Sequence, residues 1–395
     1  MDAGGRESVT RGRASGAADF VGFMTFLSKR SLVLTFLLLV GCVNGTQADP
    51  SENGSFGALL SKSEHVFFSA GASYAVYRRG EIIEAGAFGV ADLKTWRKMT
   101  AGTPLRIASL TKPVAASLIL EAAQAGSIDL GSSFWEHAPQ FTRDCARYKE
   151  FFKQKKLRYL NGVTCGDPKI TIRSVLTHTA SAPINTRFAY NGFLFGKLVE
   201  VLNAVNDGKS AEEIFRHQII VAIGLDRSAA GVSDPGGADV IEALAPPHRL
   251  DQENQPVPQR LLEHPINTGA GFIASAPDAA RVYITMMNGE FLYEGLANDL
   301  MKKVVLKNGA LSPYRYGVFV EDLRGRTLVW HRGWQPGNYT SLWIHDVDSQ
   351  TGMVFLSNTD LQPVTGDFSG HTLADNGLAN LFLRWQSASA DNRYR

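Results

Sequence analysis

Ser109 and Lys112 stand three residues apart in the stretch Leu105-Arg106-Ile107-Ala108-Ser109-Leu110-Thr111-Lys112-Pro113. On a helical turn, residues at that spacing share one face, so an amine can reach the hydroxyl and take its proton. Such a pair is a nucleophile carrying its own base, suited to attack on a carbonyl carbon. Pro113 sets the register, because a proline ring clashes with the carbonyl four residues back and is tolerated only in a helix's first turn. Ser109 is therefore expected at or beside a helix start, where free N–H groups and the positive dipole end favour a developing negative charge. Chance supplies about one or two Ser-x-x-Lys pairs in a chain of this length. No other lysine here has a serine three places before it, and the run Val114 to Ala123 that follows is apolar enough to be buried in a core.

The elements that must position this pair are legible on both sides of it. Upstream, Ser73 to Tyr77 and Glu81 to Gly89 flank the turn residues Arg78-Arg79-Gly80 and predict a hairpin. Downstream, Tyr316 to Val320 and Arg326 to Trp330 flank Arg324-Gly325 and predict a second one, followed by a strand over Met353 to Asn358 and a closing helix over Asp375 to Trp385. Pro277 and Asp278 have the chemistry of a helix start. Between these parts lies an unusual piece, about residues 142–168, with seven basic residues against three acidic ones. Cys145 and Cys165 bracket it and suggest a disulfide staple if the protein is exported. Its charge run reads as a solvated helix face rather than a binding surface.

The 395 residues are 44% hydrophobic and 20% charged, an ordinary globular composition with ample core, and the net charge of +2 gives no whole-chain case for nucleic-acid binding. No His-Glu-x-x-His, Cys-x-x-Cys or phosphate-binding glycine loop is present, so no metal or other cofactor is expected. Residues 1–41 hold a polar extension and then, from Met24, a possible true start, the order Lys29-Arg30, the apolar run Leu32 to Val40, and Gly41-Cys42. That layout is of a secretory signal ending like a bacterial lipobox, with Cys42 the lipidated first residue. The apolar run falls short of the ~18–20 residues that span a bilayer. The expected localisation is the cell envelope or periplasm, anchored to a membrane through Cys42. A flexible tether over 42–63, a folded domain over 64–385 and a tail over 386–395 complete the expected organisation.

Ser109-Leu110-Thr111-Lys112 resembles the first motif of the serine β-lactamases, class C among them, the DD-peptidases and the related esterases that share a penicillin-recognising fold. The resemblance covers about Glu64 to Trp385. It extends to Ile170-Thr171-Ile172-Arg173-Ser174-Val175-Leu176-Thr177-His178-Thr179, in which His178 is expected to be a buried residue tying a helix end to the next loop. Tyr190-Asn191-Gly192 falls where the family has Tyr-x-Asn: Tyr190 matches the tyrosine, and Gly192 takes the asparagine's place. His331-Arg332-Gly333-Trp334 resembles the family's Lys/His-x-Gly strand, Gly333 letting substrate approach the backbone and the Trp334 N–H serving as second oxyanion donor beside that of Ser109.

The resemblance implies an α/β (α+β) protein of β-lactamase/transpeptidase-like fold: an antiparallel sheet flanked by helices, an all-helical lobe, and a cleft between them. It implies a serine hydrolase in which Ser109 is acylated, Lys112, kept partly neutral by burial and nearby positive charge, takes its proton, and Tyr190 assists. Gly192 and His331, in place of the asparagine and lysine of efficient β-lactamases, shift the expected substrate to small-molecule esters or D-amino-acid amides and peptides. The rival readings are a β-lactamase of weak activity and a non-hydrolytic module that captures penicillin or a cell-wall fragment.

Overall fold

The computed structural model describes residues 54–367 and 370–391, side chains through Ala388. The segment carrying Cys42 lies outside the described residues.

Seven antiparallel strands form the central sheet: β1 (Gly71–Arg78), β2 (Glu81–Asp92), β3 (Arg97–Lys98), β4 (Phe319–Leu323), β5 (Arg326–Gln335), β6 (Tyr339–Asp346) and β7 (Thr351–Ser357). Their spatial order is β3-β2-β1-β7-β6-β5-β4, so the first strand pairs with the last, from Ala72 opposite Ser357 to Arg78 opposite Thr351. The β1–β2 hairpin turns at Arg79 and Gly80, whose φ values of 50° and 86° match the turn type that follows the right-handed twist of its strands.

Every residue of β6 and β7 is buried. Because successive side chains point to opposite faces, that pattern requires both faces of the sheet to be covered. Ala72, Tyr74, Val76, Phe355, Ile344 and Trp330 face one layer, formed by the chain's terminal helices α1 (Phe56–Leu60) and α7 (Gly377–Asp391). Ala75, Tyr77, Val354 and Trp343 face the other, which contains α2 (Thr111–Gln124) and α6 (Ala276–Asn288). Tyr283 of α6 stacks on Trp343 of β6 at 4.2 Å between ring centroids. Pro277 and Asp278 sit in the first turn of α6, as the sequence implies, and Ser275 is its cap, the side chain accepting from the Asp278 N–H.

The ordered fold begins before Glu64. Ser55 accepts a hydrogen bond from the Ala58 N–H and starts α1, and the fully buried Phe56 packs edge-on against Tyr74, Phe382 and Trp385. The polar, glycine-containing surroundings masked this five-residue apolar helix, which is stable only because the sheet and α7 bury it. At the other end α7 runs on to Asp391, so helix replaces the first part of the expected tail.

The lobe beside the sheet is helical and includes α3 (Pro139–Gln154), α4 (Ile172–Leu176) and α5 (Gly192–Gly196). The basic piece is α3 with its return loop, and a disulfide joins Cys145 to Cys165 with Cα atoms 5.9 Å apart.

Candidate active site

Ser109 occupies a 3₁₀ turn, Ala108–Leu110, that runs directly into α2. Ala108 has φ +50°, a left-handed conformation that costs a non-glycine residue free energy and persists only where neighbours fix it. Here they do. The Ile107 N–H donates to Phe272 O at 3.0 Å, and Ser341 Oγ donates to Ile107 O at 2.8 Å. Thr111 Oγ1 donates to Ala108 O at 2.8 Å, and Tyr283 Oη to Leu110 O at 2.8 Å. A loop, a strand, a helix and the turn's own threonine thus hold the backbone that carries the nucleophile.

Lys112, only 1% exposed, points back along the turn. Its Nζ donates to Ser109 Oγ at 2.9 Å and to Gly269 O at 2.8 Å. Nζ also lies 5.3 Å from the centre of the Tyr190 ring and 5.5 Å from that of Phe195. Among the described residues it has no carboxylate partner. The Gly269 carbonyl and the Phe195 ring, neither apparent as site residues from the sequence, therefore aim the amine at the serine.

Gly192 begins α5 beside this pair, and a Cβ added there would stand 3.6 Å from Lys112 Nζ and 3.7 Å from Tyr190 Cε1. The position is thus next to the chemistry and carries no amide. Asn191 caps α5 by accepting from the Leu194 N–H, so its side chain is spent on structure. Tyr190 is brought to the site by its ring; its hydroxyl makes no hydrogen bond among the described residues.

His178 is buried, its Nδ1 accepting from the Asn191 N–H at 3.1 Å and its ring 4.4 Å from that of Tyr190. It fixes the Tyr190 segment from behind. Burial first, then the positive charge of Lys112, hold it well below the usual histidine pKa, so it is neutral.

His331, which stands where efficient β-lactamases carry a lysine, is buried. It is 0% exposed, and both ring nitrogens are occupied: Tyr314 Oη lies 3.0 Å from Nε2, and Nδ1 lies 2.6 Å from Arg332 O. The tyrosine, its own pKa raised by burial, donates, and the Nδ1–H donates onward, which assigns a neutral imidazole. Burial, then Lys112, push its pKa well below 6.5. His331 therefore offers a substrate neither a cation nor a free donor, because desolvation outweighs any gain from protonation.

Gly333 also serves a different neighbour from the one expected. A Cβ there would fall 2.1 Å from Ser341 Oγ and 2.5 Å from Ile107 O. The close approach that this glycine permits is between β5 and the nucleophile turn. Trp334 follows at the rim, 40% exposed, its indole N–H donating to Asp360 Oδ1 at 2.8 Å.

The sequence model of the family described as Beta-lactamase matches residues 68–374. The chain belongs to the beta-lactamase family. This beta-lactamase family chain is 32% identical over 110 residues to Esterase EstB of Burkholderia gladioli, a match covering 28% of the chain and spanning about a quarter (24%) of that relative's length. Among solved structures, a penicillin binding protein from Bacillus halodurans is similar with TM-score 0.63 at 15% identity, over 85% of this chain and 99% of that one. The D-amino acid amidase from Ochrobactrum anthropi SV3 gives 0.60 at 15% identity, over 87% and 100%. At these identities the likeness is one of fold, and it places this beta-lactamase family member in the β-lactamase/transpeptidase architecture. The family and these neighbours are serine hydrolases.

Proposed function

We propose that this protein is an exported serine hydrolase that cleaves esters, and secondarily D-amino-acid amides or peptides, through an acyl-enzyme on Ser109. The observation that carries the reading is the 2.9 Å contact between Lys112 Nζ and Ser109 Oγ, made by a buried amine that has no carboxylate partner among the described residues. In the first step Lys112, acting as the base, accepts the Ser109 proton as Oγ bonds to the substrate carbonyl. The Ser109 and Trp334 N–H groups take the oxyanion. Lys112, with the Tyr190 phenol close to it, returns the proton to the leaving alcohol or amine, and water then hydrolyses the acyl-serine. Esters come first because Gly192 supplies no amide beside Lys112, and an ester's leaving alcohol demands less of the acid. The esterase and amidase relatives support the same two substrate classes. The Cys145–Cys165 disulfide supports an oxidising compartment, consistent with the lipobox-like Cys42.

Intact-mass spectrometry over time tests this reading. A fluorophosphonate should add one stoichiometric, stable adduct, while an activated ester should acylate the protein and then be released. Absence of any adduct from either reagent would leave the non-hydrolytic binding module as the better account.

The state of His331 makes a second expectation. A lysine there would be a permanent cation, and a cleft-facing histidine would lose its charge as pH rose through about 6.5. Because the folded-state pKa lies well below that value, His331 stays neutral across pH 6 to 8. The ratio of kcat/KM for a carboxylate-bearing ester to that for a neutral ester should therefore be flat over this range. Taking the ratio cancels the titration of groups that both reactions share. A ratio that fell through a histidine-like pKa would mean that a charged His331 meets the substrate.

A further inference from the structure

The basic piece between Thr142 and Pro168 does more than present charge to water. Its helix α3 and the return loop enclose a cleft of about 720 Å³, within the size range of small-molecule sites. The wall carries Lys149, Lys153, Lys156 and Arg158 against the single acidic Glu150. Lys149 Nζ is engaged on Val163 O at 2.8 Å and bridges the two sides. The Lys153, Lys156 and Arg158 side chains form no ion pair or hydrogen bond among the described residues. Cations arranged for solvation alone need not converge on one concavity.

Charge is half of the cleft's chemistry, and apolar surface is the other half. Phe152, Leu157 and Leu160 line the same space, and so does Cys165 of the Cys145–Cys165 disulfide. Phe151, Leu157 and Tyr159 are exposed, so a concentration of unburied apolar side chains lies among the cations. The frame is built rather than loose. The disulfide ties α3 to the return loop, and Phe152 packs edge-on against Phe193 at 4.7 Å. Asn191 Nδ2 donates to the Tyr159 carbonyl, which fastens the loop to the segment that carries Tyr190 and Gly192.

We propose that this cleft binds an anionic amphiphile, an alkyl chain bearing a phosphate or carboxylate head, at a site separate from Ser109. The head sits among Lys153, Lys156 and Arg158, and the chain lies on Phe152, Leu157 and Leu160. An inorganic anion alone leaves the apolar wall in water, and a neutral amphiphile leaves the ammonium groups without a counter-charge. The cleft recognises the two parts together.

Calorimetric titration of the full chain with dodecyl phosphate, held below its micelle concentration, tests the proposal. Saturable binding near one equivalent is expected, with Kd at least tenfold lower than for inorganic phosphate or dodecyl maltoside. Lys153→Glu with Lys156→Glu should raise Kd by tenfold or more while ester turnover and melting temperature hold, since neither side chain has a partner among the described residues. Protein blocked at Ser109 by a fluorophosphonate should bind as the unblocked protein does. Unchanged affinity in the double variant would overturn the site, as would loss of binding on blocking Ser109. Binding to phosphatidylglycerol vesicles without binding to the monomeric amphiphile would overturn it too, in favour of surface docking.

Discussion

Ser109→Ala should abolish fluorophosphonate labelling and lower ester turnover by roughly 10⁴-fold or more, the scale on which removal of a covalent nucleophile acts. The loss should be one of chemistry alone. Ser109 Oγ accepts from Lys112, but the carbonyls around it are held by Ser341, Thr111 and Tyr283, none of which the substitution touches. The left-handed Ala108 stays clamped, and stability should change by less than about 1 kcal/mol, as for a small substitution that opens no large cavity. Thermal denaturation beside the labelling experiment separates these outcomes. Labelling that survives Ser109→Ala would place the nucleophile elsewhere, and a large drop in melting temperature would make lost activity uninformative.

What could be read from the chain followed the range of the interaction. The Ser109 and Lys112 pair is local, so helical spacing and Pro113 were enough to put the amine on the hydroxyl. The β1–β2 hairpin was legible for the same reason, since its turn residues and strand pattern are contiguous. The start of α6 was legible from the adjacent Pro277 and Asp278. His331 shows where such reading fails. Its residue type suggests a titrating cation, and only Tyr314, seventeen positions earlier and in no recognisable motif, makes it a buried neutral acceptor. Gly269 is another case, because a backbone carbonyl that orients Lys112 across 157 positions leaves no mark on side-chain chemistry. The helix α1 was missed because its stability lies in Tyr74, Phe382 and Trp385 rather than in its own five residues. The basic stretch was legible as charge, whereas its cleft depends on how the return loop folds over α3.

Lys112→Met should move rate and stability in different directions, which makes it the sharper test of the base. Methionine keeps most of the apolar stem that α2 buries but can neither accept the Ser109 proton nor donate to Gly269 O. Loss of a positioned general base typically costs 10²–10⁴-fold, so kcat should fall by about that much. On stability two effects compete. Leaving the Gly269 carbonyl without its donor costs about 1–3 kcal/mol. Against this, the substitution removes a side chain that is 1% exposed and lacks a carboxylate partner among the described residues, and relieving the burial of an ammonium is worth several kcal/mol where that group is charged. The melting temperature of Lys112→Met should therefore equal or exceed that of the parent while turnover collapses. Lys112→Ala should lose the same activity but also melt lower, since it leaves a cavity where the stem packed. If instead Lys112→Met retained turnover within a few-fold, the proton acceptor would be another group, with the Tyr190 phenol beside Lys112 the next to test by Tyr190→Phe.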